Sequence, residues 1–126
     1  MIRTSVLLLS VSLSAVVAGP LSASDVSAER QIGFGLKVAQ KGLWQEAKFR
    51  FERAAKADPQ SAAALNDLAV ALEQMGDFAG ARQAYEKALE IKPGDTYIQQ
   101  NYDLFREADD KRNRKLKKQR AKGPQP

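Results

Sequence analysis

Histidine and cysteine are both absent from the 126 residues, and each absence removes a block of chemistry. Without imidazole there is no side chain that titrates unaided near neutral pH and no Ser/His/Asp triad. Without thiols there is no cysteine nucleophile, no disulfide and no lipid-modified N-terminal cysteine, and every Cys or His zinc site is excluded. Gly-rich phosphate loops and EF-hand spacings are missing as well. Carboxylates are present, among them Glu46, Glu52, Asp67, Asp77, Glu86, Asp109 and Asp110. Most fall at turns or on outward helix positions, where they are expected to be solvated and unshifted. No enzyme activity, cofactor or metal is therefore expected.

The remaining composition, 44% apolar and 28% charged, is ordinary for one globular domain with tails. Its 20 Lys and Arg against 15 Asp and Glu give a net charge of +5, but the excess is local. Lys111, Arg112, Arg114, Lys115, Lys117, Lys118, Arg120 and Lys122 crowd the last sixteen residues with no acid among them. Without these and Arg3, eleven bases face fifteen acids, so residues 4–110 carry about −4. The basic balance describes a tail, not a surface. No aromatic interleaves the tail, so base stacking has no support and nucleic acid is disfavoured as a partner. Anionic lipid or lipopolysaccharide is the better match for such a run, and a solvated tail that aids solubility is the competing reading. Glu107/Lys111 and Asp110/Arg114 stand four apart with the acid first and are expected to extend the last helix, while residues 111–126 are expected to be partly disordered.

The N-terminal residues 1–23 read as an export segment. Arg3 precedes an apolar run from Val6 to Ala18, and Gly19-Pro20-Leu21-Ser22-Ala23 ends it with small residues, the three parts of a secretory signal. A periplasmic or secreted protein is expected after cleavage. No charge occurs from Thr4 to Ser24, so a retained membrane anchor is the alternative, though Gly19, Pro20 and the serines weaken a spanning helix.

Residues 24–110 are organised by a repeat. At an offset of 34, Ala28 to Ser61 aligns with Ala62 to Asp95, and Ala28/Ala62, Gln40/Gln74, Gly42/Gly76, Ala47/Ala81, Glu52/Glu86, Ala54/Ala88 and Pro59/Pro93 are identical. Trp44/Phe78, Phe51/Tyr85, Phe34/Leu68 and Leu36/Val70 keep size where identity changes. A fixed period of this kind is a signature of stacked architecture. Within each unit the grammar is helix, turn, helix, turn. Ile32, Leu36 and Ala39 follow helical spacing until Gly42; Trp44, Ala47, Phe51 and Ala54 recur at three and four until Asp58-Pro59. Leu65, Leu68, Ala69 and Leu72 lead to Gly76-Asp77, then Phe78, Ala81, Tyr85, Ala88 and Ile91 lead to Pro93. Amphipathic periodicity, glycine stops and proline breaks account for each boundary. The alanines allow helix backbones to approach closely while the rings fill between turns.

These positions resemble the tetratricopeptide repeat (TPR) family. The second unit matches nearly completely; the first holds Gln31 where a large apolar residue is usual, so its first helix is expected to fray. The resemblance implies an all-α fold, a short right-handed superhelix of antiparallel hairpins (units 28–61 and 62–95). From residue 96, Tyr97, Ile98, Asn101, Tyr102, Phe105 and Ala108 resemble the family's terminal capping helix. Stacked repeats usually need about three units for stability, so self-association is a further expectation.

The same resemblance implies a non-catalytic module that binds a protein or peptide in a concave groove, as an accessory or scaffold in a cell-envelope complex. Carried over position by position, the groove comprises Ile32, Leu36 and Ala39, then Asn66, Val70 and Glu73, then Gln100, Leu104 and Glu107. The apolar members either receive partner side chains or pack between first helices. The carboxylate clamp of some family members is not matched, because its positions hold Ile32, Leu36, Tyr97 and Asn101. A plain helical bundle is the alternative architecture.

Overall fold

The chain is described here by a computed structural model covering residues 19–20 and 22–123. Residues 1–18 and 21 of the expected export segment and the last three tail residues lie outside the described residues. Among the described residues there are five α-helices and no strand: α1 (Ala23–Gln40), α2 (Trp44–Ala57), α3 (Ala62–Gln74), α4 (Phe78–Ile91) and α5 (Thr96–Ala121). None of these helices is long and apolar enough to cross a membrane.

Local chemistry sets the boundaries. After α1 the Gly42 N–H donates to Ala39 O at 2.9 Å and the Leu43 N–H to Val38 O at 3.0 Å. After α3 the Gly76 N–H donates to Glu73 O at 3.0 Å and the Asp77 N–H to Leu72 O at 2.9 Å. This paired closure needs a left-handed residue, and Gly42 and Gly76 supply it with φ of 74° and 81°. Side chains cap α3, α4 and α5 at their N-termini. Ser61 Oγ accepts from the Ala64 N–H at 3.2 Å, Asp77 Oδ1 from Gly80 at 2.9 Å, and Asp95 Oδ1 from Tyr97 and Ile98 at 3.1 Å. Such caps satisfy otherwise orphaned helix N–H groups. A pair of glycine substitutions separates these roles. Gly76→Ala forces a Cβ into the left-handed region and is expected to cost about 1 kcal/mol. Gly33→Ala, inside α1 with open space around the new Cβ, is expected to stabilise by about 0.5–1 kcal/mol. Thermal melts of both variants check the opposite signs.

Consecutive helices pack in pairs along the chain, and α1 also touches α3. The seam is built from alanine: Ala47, Ala54, Ala81 and Ala88 are fully buried. Phe51 and Tyr85 fill the spaces they leave, the first beside Ala47 and Ala71, the second beside Ala69, Ala81 and Phe105. The α1–α2 approach is close enough that a Cβ at Gly35 would collide with the Phe51 ring. Contrary to the expected fraying, α1 is one continuous helix that starts ahead of the repeat unit. Gln31 is accommodated by accepting a 3.4 Å hydrogen bond from Arg50 Nη1, whose guanidinium also stacks over Phe34.

The cap follows from the same period. Ile98, Tyr102 and Phe105 stand thirty-four residues after Ala64, Leu68 and Ala71 and repeat their role, with Ile98 and Phe105 buried in clusters shared with α3 and α4. Leu65, Ala69 and Leu72, however, are followed at that offset by Gln99, Asp103 and Arg106, which are exposed. A polar outer face is what a terminal repeat element requires.

Past Phe105, α5 is held by a residue expected to be solvated. Asp109 is 6% exposed. Its carboxylate accepts from Arg82 Nη2 at 2.7 Å and from Arg112 Nη1 at 2.6 Å, while the Arg112 guanidinium lies 3.2 Å from the Phe78 ring centroid. Two cations and one ring thereby tie α5 to α4. The tail, expected to be partly disordered, accordingly continues as helix from Lys111 to Ala121. The Lys111 Nζ to Glu107 Oε1 pair at 2.7 Å supports that extension, and Arg114 donates to the Asp110 main-chain oxygen rather than to its carboxylate.

Candidate functional site

A hollow of about 250 Å³ is lined by Leu36, Ala39 and Gln40 of α1, Trp44 and Phe51 of α2, Asp67 and Val70 of α3, and Tyr97 of α5. Register explains the gathering. Leu36 and Val70 are equivalent positions one repeat apart, Ala39 lies one turn beyond Leu36, and Asp67 and Val70 share a face of α3 at a spacing of three. Tyr97, at the start of α5, completes the lining and is 64% exposed. Leu36 is 45% exposed, so the lining is apolar yet reachable.

The expected groove is divided by the structure. Leu36, Ala39 and Val70 share this hollow. Gln100, Leu104 and Glu107 line a different hollow of about 440 Å³ on the flank of α5, with Pro93, Asp95, Gln99 and Asp103. Three residues belong to the packing. Ile32 sits against Ala28, Ala54 and Ala64. Asn66 is 2% exposed, and its Oδ1 accepts from Asn101 Nδ2 at 3.1 Å, joining α3 to α5. Glu73 accepts a 3.3 Å hydrogen bond from the Tyr85 hydroxyl. Gln40, Trp44, Phe51, Asp67 and Tyr97 are the lining residues that the carried-over positions missed.

Asp67 sets the electrostatics. It is half-buried, and loss of solvent pushes its pKa above the usual aspartate range, opposed by the hydrogen bond from Asn66 Nδ2 at 3.2 Å. It is therefore not the solvated, unshifted carboxylate expected. Because the folded value exceeds the unfolded one, the associated stabilisation is complete below the ordinary value of 3.8. It is lost as pH rises through the folded value. Asp67→Asn removes the ionised form, so its melting temperature is expected to exceed the wild type's at pH 7. The difference should shrink at pH 3, and melts at the two pH values check this. Nearby, burial and the negative charges of Glu73 and Asp67 push the Tyr85 hydroxyl pKa upward.

The tail cations divide in the same way. Arg112 is committed to Asp109 and Phe78, and Lys111 to Glu107. Lys115, Lys117, Lys118, Arg120 and Lys122 are exposed, and none is among the described ion pairs. Among the described residues no group of three or more acidic side chains is placed to hold a metal ion.

Residues 34–96 match a family model described as Tetratricopeptide repeat. The matched span runs from the middle of α1 to the first residue of α5 and includes Leu36, Ala39, Asp67 and Val70. No curated protein matches the chain.

Proposed function

This chain belongs to the tetratricopeptide repeat family, whose repeats generally mediate protein–protein interaction and typically have no catalytic role; on that premise we propose that it binds a protein or peptide in the hollow lined by α1, α2, α3 and α5. The observation that carries the proposal is the exposure of Leu36 and Tyr97 on a concave, mainly apolar surface shared by four helices. Apolar side chains that remain reachable in a concavity are the usual substrate of recognition. The export-type sequence at residues 1–23 supports a role as an accessory or scaffold of a cell-envelope complex. Leu36→Asp places a charge in the hollow without touching the alanine seam. It is expected to reduce partner capture from a cell-envelope extract at least tenfold with unchanged helicity by circular dichroism. Undiminished capture would remove the hollow from the recognition surface.

A second reading rests on the projecting end of α5, whose unpaired cations suit an anionic membrane surface at about 1 kcal/mol each near the charged plane. Deletion of residues 111–126 is expected to abolish salt-sensitive binding to phosphatidylglycerol vesicles. Binding that survives the deletion would place its source elsewhere.

A further inference from the structure

The hollow carries charge of one sign. Among the described residues Asp67 is the only carboxylate that lines it, and no Lys or Arg does. Glu73 lies further along α3, and both carboxylates act on the Tyr85 hydroxyl. Asp109 shows what this fold does with a carboxylate that is used structurally, since it meets two guanidinium groups at 2.7 and 2.6 Å. Asp67 has the Asn66 amide and forms none of the described ion pairs. A carboxylate partly withdrawn from water and left without a cation is costly in its charged form, and a partner's cation would offset that cost.

Resting on the groove reading above, we infer that the occupant is a cationic segment of another protein. It seats an Arg or Lys side chain on Asp67 beside a large apolar side chain on Leu36, Val70 and Tyr97. An acidic segment would bring like charge into a partly desolvated site and be rejected. The occupant is therefore opposite in charge to the acidic C-terminal peptides that a basic clamp would hold. The chain's own tail has related chemistry, with Leu116 44% exposed between Lys115 and Lys117, so a second copy is the competing occupant.

The test uses the full chain and two synthetic peptide pools, each with a fixed central Leu or Phe. One pool is flanked by Lys and Arg, the other by Glu and Asp at the same positions. By fluorescence anisotropy the cationic pool is expected to bind at least tenfold tighter. Asp67→Asn should weaken that binding at least tenfold without lowering the melting temperature. Glu52→Gln, which removes the same charge from an exposed pair with Lys48, should leave it within twofold.

Equal binding of the two pools, or equal effects of Asp67→Asn and Glu52→Gln, would overturn the inference. So would a wild-type dimer that loses its self-association on deletion of residues 111–126 and only then binds the cationic pool, because the occupant would be a second copy's tail. If neither pool binds while Leu36→Asp still abolishes partner capture, the cationic partner is wrong and the groove stands. If Leu36→Asp also leaves capture intact, the groove itself is wrong.

Discussion

Phe105→Ala is expected to lower the stability of the protein by about 3–5 kcal/mol, the range for emptying a buried aromatic site. Phe105 is 1% exposed, with its ring centroid 5.5 Å from that of Tyr85 and 6.4 Å from that of Tyr102. It also packs in the cluster with Ala69, Leu72, Ala81 and Ala84. It is the large side chain through which α5 closes the α3–α4 pair, and small domains hold only about 5–15 kcal/mol in total. Urea unfolding should show the reduced midpoint, and amide exchange should accelerate most in α5. Leu104→Ala provides the contrast: Leu104 is 63% exposed, and its loss is expected to change stability by less than about 0.5 kcal/mol.

Asp109→Ala is expected to have the next largest effect, about 1–3 kcal/mol, as charge-assisted hydrogen bonds to a buried carboxylate are lost. The magnitude stays below that of a fully buried ion pair. The side chains of Arg82 and Arg112 remain 35% and 31% exposed, so water receives them when the carboxylate goes. The distinguishing readout is local: exchange should accelerate from Asp110 to Ala121, where nothing beyond Arg112 ties the helix to α4. Asp109→Asn, which keeps an acceptor, should retain part of the protection.

How much of this was legible from the sequence depended on whether the deciding contact was local. The ends of α1 and α3 were readable because Gly42 and Gly76 act within one turn, and the caps at Ser61 and Asp95 act on residues two or three positions away. The alanine seam was readable because a period of 34 places Ala47 and Ala81 in the same role. Asn66 was misread for the opposite reason. Its amide fits a groove when α3 is considered alone, but its partner Asn101 lies on α5, thirty-five residues on. Asp109 was misread likewise, since Arg82 is twenty-seven residues away. Arg112 looked like one more tail charge because stacking on Phe78 leaves no mark on local periodicity. The helical tail follows from that anchoring rather than from apolar spacing. Tyr97 reads as part of the cap's apolar side; only the tertiary fold brings it beside Leu36 and Val70 as a wall of the hollow.

These misreadings moved the candidate surface without removing it. Leu36, Ala39 and Val70 remain together, and the carboxylate beside them is Asp67, which the positional transfer did not name. The hollow gathers three of the nine carried-over positions, and its one carboxylate is Asp67 in place of Glu73 and Glu107.

Site-specific photocrosslinking in the native host tests the recognition surface most directly. A benzophenone side chain placed at Leu36 or at Tyr97 is expected to give one shared adduct with a partner protein, while the same group at Arg53 or Glu90, on exposed outer positions of α2 and α4, gives none. The same adduct from Arg53 and Glu90, with none from Leu36 and Tyr97, would show that recognition occurs on the opposite face.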